Sequence, residues 1–170
     1  MEPPSPYRIS LTNESGKRVG TALLRRAALA TLSKHRMPAG TLSILLCSNE
    51  RIQELNRDYR DIDEATDVLT FPAADPTIFA IKGNPILGDI AISVEYARAQ
   101  AKLRNVPIET ELAYLAIHGC LHLAGLDDVD EADRRKMQIA MAEMGEFLGL
   151  PPDPEWTSVL HAAVAFEEPA

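Results

Sequence analysis

The order of segments along the chain predicts a single domain in which strands and helices are mixed. Three observations carry that expectation. At 170 residues the chain is long enough for one hydrophobic core and short for two. Four β-rich runs are interspersed with five stretches whose apolar residues recur at helical spacing. Hydrophobic residues make up 46% and charged residues 25%, which places the chain among globular domains rather than disordered or membrane-embedded ones.

The first strand is expected at YRISLTN (Tyr7 to Asn13), where apolar and polar residues alternate. A helix follows in KRVGTALLRRAALATLSKH, with Leu23, Leu24, Ala27, Ala28 and Leu32 on one side. TLSILLCS (Thr41 to Ser48) is a short apolar run that suits a buried strand. NERIQELNRDYR carries Ile52, Leu55 and Tyr59 at helical spacing, with Asn49 as its expected cap. TDVLTFP (Thr66 to Pro72) reads as a strand stopped by proline. The stretch from Ala73 to Pro85 has no clear period and is expected to be a loop. ILGDIAIS (Ile86 to Ser93) is a β-rich run, and VEYARAQAKLRN a helix. The next helix starts near Pro107 and ends about Gly125, a residue that tolerates the left-handed turn closing many helices. The last, DEADRRKMQIAMAEMGEFLG, has an acidic first turn that complements the helix dipole. From Pro151 the chain is proline-rich and then apolar (WTSVLHAAVAF), a short docking helix or a loose tail.

The net charge of -8 excludes a protein that grips nucleic acid with its whole surface, since neutralising phosphates takes clustered Lys and Arg. A local basic groove is compatible with it. Cys47 and Cys120 are the two cysteines and neither has a CxxC partner, so no disulfide framework or thiolate zinc site is indicated. The N-terminus MEPPSPYRIS places prolines where a secretory signal needs apolar residues. No apolar run approaches the ~20 residues needed to cross a bilayer. A cytoplasmic protein is the expectation.

The most informative stretch is HGCLHLAGLDD, from His118 to Asp128. His118 and His122 are four residues apart, so their side chains share one helix face, the arrangement by which HExxH helices hold zinc. Gly125 lets the chain turn back and can bring Asp128 to the same point. The pattern H-x3-H-x2-G-x2-D has metzincin spacing, with aspartate in place of the third histidine. Three ligands would leave a fourth position open, as in catalytic zinc sites. Read by spacing alone, the stretch is equally compatible with a helix end that carries two histidines by chance. Gly119 stands where a zinc protease has its glutamate base, which counts against peptidase chemistry.

A second cluster is LNRDYRDIDEATDVLTFP, from Leu55 to Pro72. Arg57 and Arg60 are three apart at the end of a helix and share one side of it. They are either a solvated pair bridged to Asp58, Asp61 or Asp63, or a phosphate clamp, because guanidinium forks match phosphate oxygens.

Together these stretches resemble a known family. HGCLHLAGLDD is similar to the HGxLHLxGYDH signature of the YbeY endoribonucleases, or rRNA maturation factors. LNRDYRDIDEATDVLTFP resembles that family's LNxxYRxxDxxTDVLSFP, and LGDIAIS its LGDI strand, in the family's order. The resemblance covers about Tyr7 to Leu150. It implies an α+β fold: a small mixed β-sheet of about four strands packed with about five helices, in a single domain over residues 1–150. Residues 151–170 are left as a C-terminal extension of unknown role. It further implies a zinc-dependent, single-strand-specific endoribonuclease acting in 16S rRNA maturation and ribosome quality control, with rRNA and small-subunit components as partners.

The family's three zinc histidines map onto His118, His122 and Asp128, with one Zn2+ per chain. Its functional arginine maps onto Arg60, with Arg57 beside it as a further substrate contact. Two positions depart from the pattern: Asp128 replaces a histidine and Leu126 a tyrosine. An oxygen ligand tilts a site towards harder metals, and its charge makes a metal-bound water less acidic. No dedicated base is evident; Asp127 is one candidate. The alternative from another class is a metal-stabilised ribosome assembly factor with little nuclease activity. A small metalloprotease rests on the metzincin-like spacing alone.

Overall fold

The computed structural model describes residues 5–73 and 85–158. The loop expected from Ala73 to Pro85 therefore lies almost wholly outside the described residues, as does His161. Among the described residues nine elements follow one another: β1 (Tyr7–Asn13), α1 (Ala22–Lys34), β2 (Gly40–Cys47), α2 (Asn49–Arg60), β3 (Val68–Pro72), β4 (Ile86–Ser93), α3 (Val94–Arg104), α4 (Ile108–Leu123) and α5 (Glu131–Leu148). The fold is α+β, with a mixed four-stranded sheet in the order β1-β2-β4-β3 and five helices among the described residues.

β1 pairs parallel with β2, and β2 with β4, while β3 runs antiparallel to β4. The two central strands carry the apolar load. In β2, Leu42, Ile44 and Leu46 alternate into the main core; in β4, Ile90 and Ile92 alternate into it and Leu87 joins them across a register shift. The opposite face is covered in part by α2, whose Ile52 packs with Cys47, Leu69 and Ala91 in a second, smaller cluster.

α4 is the centre of the molecule. Thr110 to Leu121 are all buried, and the helix contacts α1, α3, α5 and the sheet. A helix apolar on nearly every side belongs inside a domain. Burying each of Leu112, Leu115 and Leu121 is worth roughly 1.5–3 kcal/mol. Gly119 lets α4 lie close to the sheet, because a Cβ there would stand 2.6 Å from Ile90 Cδ1. A larger residue at this position, such as a protease-type glutamate, would have to displace the Ile90 side chain.

Two local expectations change. The N-cap of α2 is Ser48, whose side chain accepts the Arg51 amide at 3.1 Å. Asn49 instead accepts the Ser93 hydroxyl at 2.6 Å and ties α2 to the end of β4. β3 begins at Val68 rather than Thr66, since the buried Asp67 carboxylate accepts the Val68 amide at 2.7 Å and shapes a turn there.

The chain does not leave the domain after α5. Gly149 closes the helix at φ 73°, and the Leu150 amide donates to Gly145 O at 2.8 Å. The following segment crosses α4, where Tyr114 Oη donates to Pro151 O at 2.7 Å. Trp156 and Ser158 are both 2% exposed and anchor residues 151–158 to the core, while Pro151, Pro152, Pro154 and Glu155 stay exposed; the rest of the expected tail lies outside the described residues. No helix among the described residues is long and apolar enough to span a membrane.

Candidate metal centre and cleft

His118 and His122 lie one turn apart on the last part of α4, and their Nε2 atoms approach to 3.1 Å. Gly125 then adopts φ 103°, and the amides of Gly125 and Leu126 bond back to His122 O and Leu121 O, both at 3.0 Å. This hydrogen-bonded reversal needs the left-handed conformation that glycine tolerates. Asp127 steadies the return, its Oδ1 accepting the Asp128 amide at 2.8 Å. Asp128 Oδ2 thereby stands 3.2 Å from His118 Nε2 and 3.4 Å from His122 Nε2.

Electrostatics favours the protonation states that a cation requires. Burial pushes the Asp128 carboxyl up, but the two imidazoles outweigh burial and hold it far below its ordinary value. Burial also lowers the His118 pKa, against the raising effect of Asp128. A neutral imidazole and an ionised carboxylate are the ligand forms. Three lone-pair atoms at these separations repel one another unless a cation or protons lie between them. Tetrahedral bonds of about 2.0–2.2 Å put neighbouring ligand atoms roughly 3.3–3.6 Å apart, close to what is found here. The donor set therefore fits a small divalent metal.

The three side chains open onto a cleft of about 440 Å³ whose walls include Arg60, Thr70 and Ser158. Arg60 is the last residue of α2; its Nη2 donates to Thr70 O at 2.7 Å and its guanidinium lies 5.8 Å from the Phe71 ring centroid. Asp127 also lines this cleft. Arg57 points elsewhere: it is exposed, donates to Asp58 Oδ1 at 3.1 Å, and is not among the cleft residues. Cys120 is buried in the core with its thiol pushed up to about 12 by burial, the behaviour of a packing residue.

Several neighbours of the site carry little sequence signal. Behind His118, the Trp156 ring lies 5.1 Å away, centroid to centroid. Its Nε1 donates to both carboxylate oxygens of Glu111, at 3.1 and 3.0 Å. Glu111 is fully buried, seven residues before His118 and so on the same helix face. Of the two carboxylates that open IETELAYLAIHGCLHL, Glu109 and Glu111, only the second has that spacing, and this is the hint the sequence offered. Ser158 Oγ donates to Asp67 Oδ1 at 2.8 Å, a contact between residues far apart in the chain that no local pattern announces.

Fold and site together define a small α+β protein in which a His118–His122–Asp128 group able to hold a metal ion stands at the edge of an arginine-bearing cleft, built on a central helix. Comparison with known proteins places it more closely. The profile of the family Endoribonuclease YbeY matches residues 9–149, and the chain belongs to that family of nuclease hydrolases. It is 44% identical over 131 residues to Endoribonuclease YbeY of Desulfitobacterium hafniense (strain Y51), covering 74% of this chain and 82% of that protein. It is 37% identical over 150 residues to Endoribonuclease YbeY of Chloroflexus aurantiacus (strain ATCC 29366 / DSM 635 / J-10-fl), covering 85% and 97%. The solution structure of TM1509 from Thermotoga maritima aligns with a TM-score of 0.53 at 28% identity, over 83% of this chain and 90% of that one.

Proposed function

We propose that this protein is a metal-dependent endoribonuclease that cuts single-stranded RNA during maturation of small-subunit rRNA, in the cytoplasm, with one zinc ion per chain. The observation that carries the reading is the convergence of His118, His122 and Asp128 within 3.1–3.4 Å of one another on a cleft that Arg60 also lines. Membership of the endoribonuclease family supplies the substrate class.

His118, His122 and Asp128 would hold a divalent ion, which would supply Lewis-acid polarisation of a phosphoryl oxygen and lower the pKa of a water towards neutral. The chain's own residues do the rest. His118 and His122 would present ring nitrogens to the ion, and Asp128 an anionic oxygen that would also offset its charge. Arg60 is tethered through one N–H to Thr70 O, and its other donors serve the charge that grows on the phosphoryl oxygens as the bond breaks. Asp127 is engaged by a backbone amide, which fits it to hold the turn as well as to face the substrate. With a net charge of -8, RNA is held at this cleft rather than over a broad basic surface. Partners among small-subunit ribosomal components would add the affinity that the acidic surface does not, and would link the cut to ribosome quality control.

The test is single-turnover cleavage of a labelled single-stranded RNA by rigorously purified protein, with and without chelator. Cleavage that chelator abolishes and zinc restores is the expected result. Binding of ribosomal RNA with no cleavage under any metal condition would replace this reading with that of an assembly factor.

A further inference from the structure

His118 is held in an unusual way for a metal-binding histidine. Such residues ordinarily donate their second ring N–H to a carboxylate or carbonyl, which fixes the ring plane. Here Nδ1 of His118 is buried and has no hydrogen-bond partner among the described residues. The ring must be oriented by packing. It meets His122, with centroids 4.6 Å apart and planes at 83°. It also meets Trp156, at 5.1 Å and 51°.

Trp156 is itself held from several directions. Its Nε1–H is shared between both oxygens of Glu111. Arg104 lies over the indole at 4.9 Å, pairs with Glu111 at 3.2 Å, and donates to Thr157 O at 3.1 Å. Two residues further on, Ser158 is bonded to Asp67 and reaches the cleft wall. Glu111 and His118 are two turns apart on one face of α4, so the indole bridges a carboxylate that grips its edge and an imidazole that it supports.

We propose that Trp156 is a positioning residue for His118: the segment Pro151–Ser158, beyond the family-matched residues 9–149, folds back to supply by ring packing the orientation that a hydrogen bond to Nδ1 supplies elsewhere. This rests on the reading of His118 as a metal ligand. It makes the C-terminal segment part of the metal centre and gives its docking a function.

The test compares the full-length chain with Trp156→Leu and Trp156→Phe, first stripped of metal. Zinc affinity is measured by competition with a chromophoric chelator, and the site geometry by the visible absorption of the cobalt(II) form. Trp156→Leu, which removes the ring, is expected to bind zinc roughly 10- to 100-fold more weakly, the usual cost of losing an outer support of a ligand. Its cobalt spectrum should shift. Trp156→Phe, which keeps a ring against His118 and loses only the N–H, should recover most of the affinity and the parental cobalt spectrum. In the parent, cobalt should quench the fluorescence of the chain's single tryptophan. Parental affinity and spectrum in a folded Trp156→Leu overturn the proposal. Should that variant fail to fold, Trp156→Phe decides, and an altered cobalt spectrum there overturns the proposal. A parent chain that binds neither metal overturns the underlying reading of the site instead.

Discussion

Glu111 offers a quantitative check on the structure that needs no RNA and no metal. It has no solvent exposure, and burial raises its carboxyl pKa from an ordinary 4.5 to about 7, against the lowering effect of Arg104. A carboxyl whose folded-state pKa is raised binds protons more tightly in the folded chain than in the unfolded one. Its contribution to stability is complete below about 4.5 and is lost as pH rises through about 7. A rise from 4.5 to about 7 corresponds to about 3 kcal/mol of preference for the protonated carboxyl in the folded chain. Glutamine keeps a carbonyl acceptor for the Trp156 N–H and cannot titrate. Between pH 5 and pH 8, metal-stripped parent should therefore lose about 2–3 kcal/mol of stability relative to Glu111→Gln. For a chain of this size that is roughly 5–12 °C in the difference between the two melting temperatures. Circular dichroism melts in matched buffers with chelator present would measure it. A difference in Tm that stays flat across this range, or that moves in favour of the parent as pH rises, would refute the argument that burial dominates at Glu111.

Other substitutions test other parts of the reading. Asp128→Ala should weaken zinc binding by at least about 10-fold, while Asp128→His should bind at least as well as the parent and start its alkaline rise in cleavage at lower pH; equal affinity in all three, by chelator competition, would remove Asp128 from the metal. Arg60→Ala should keep the fold and the metal but lose most single-turnover cleavage, with Arg60→Lys a poor substitute because a point charge lacks the planar fork; undiminished cleavage would shift the phosphate contact to another group. Gly119→Ala should cost about 1–3 kcal/mol by forcing a methyl against Ile90, measurable in urea melts. Adding Ile90→Val deletes the atom that stands 2.6 Å away, and a double variant no more stable than Gly119→Ala alone would show that the clash is not what limits this position.

The extent to which the site could be read from the sequence depended on how local each part is. His118, His122, Gly125 and Asp128 fall within eleven residues, and helical periodicity plus one glycine turn is enough to bring them together. Arg57 and Arg60 show where local reasoning stops. Three residues apart, they share a helix side in sequence terms, yet Arg60 is the terminal residue before Asp61 reverses the chain at φ 57° and finds Thr70 O across the turn. Arg57, one turn earlier, donates instead to its sequence neighbour Asp58.

By itself the sequence determined where strands and helices form, since side-chain period and caps act over a few residues. It also brought His118, His122 and Asp128 within reach of one another, since the two histidines are neighbours on α4 and the aspartate lies one glycine turn beyond it. Only the tertiary structure decided the strand order β1-β2-β4-β3 and its parallel pairs, because the partners of a strand lie far off in sequence and any apolar strand can accept several. Only the tertiary structure placed Trp156 behind His118, thirty-eight residues away along the chain. An isolated tryptophan in a proline-rich tail has no period to reveal its place. What fixes it is a buried carboxylate and an arginine that need a partner once α3 and α4 have packed, and those needs exist only in the folded molecule.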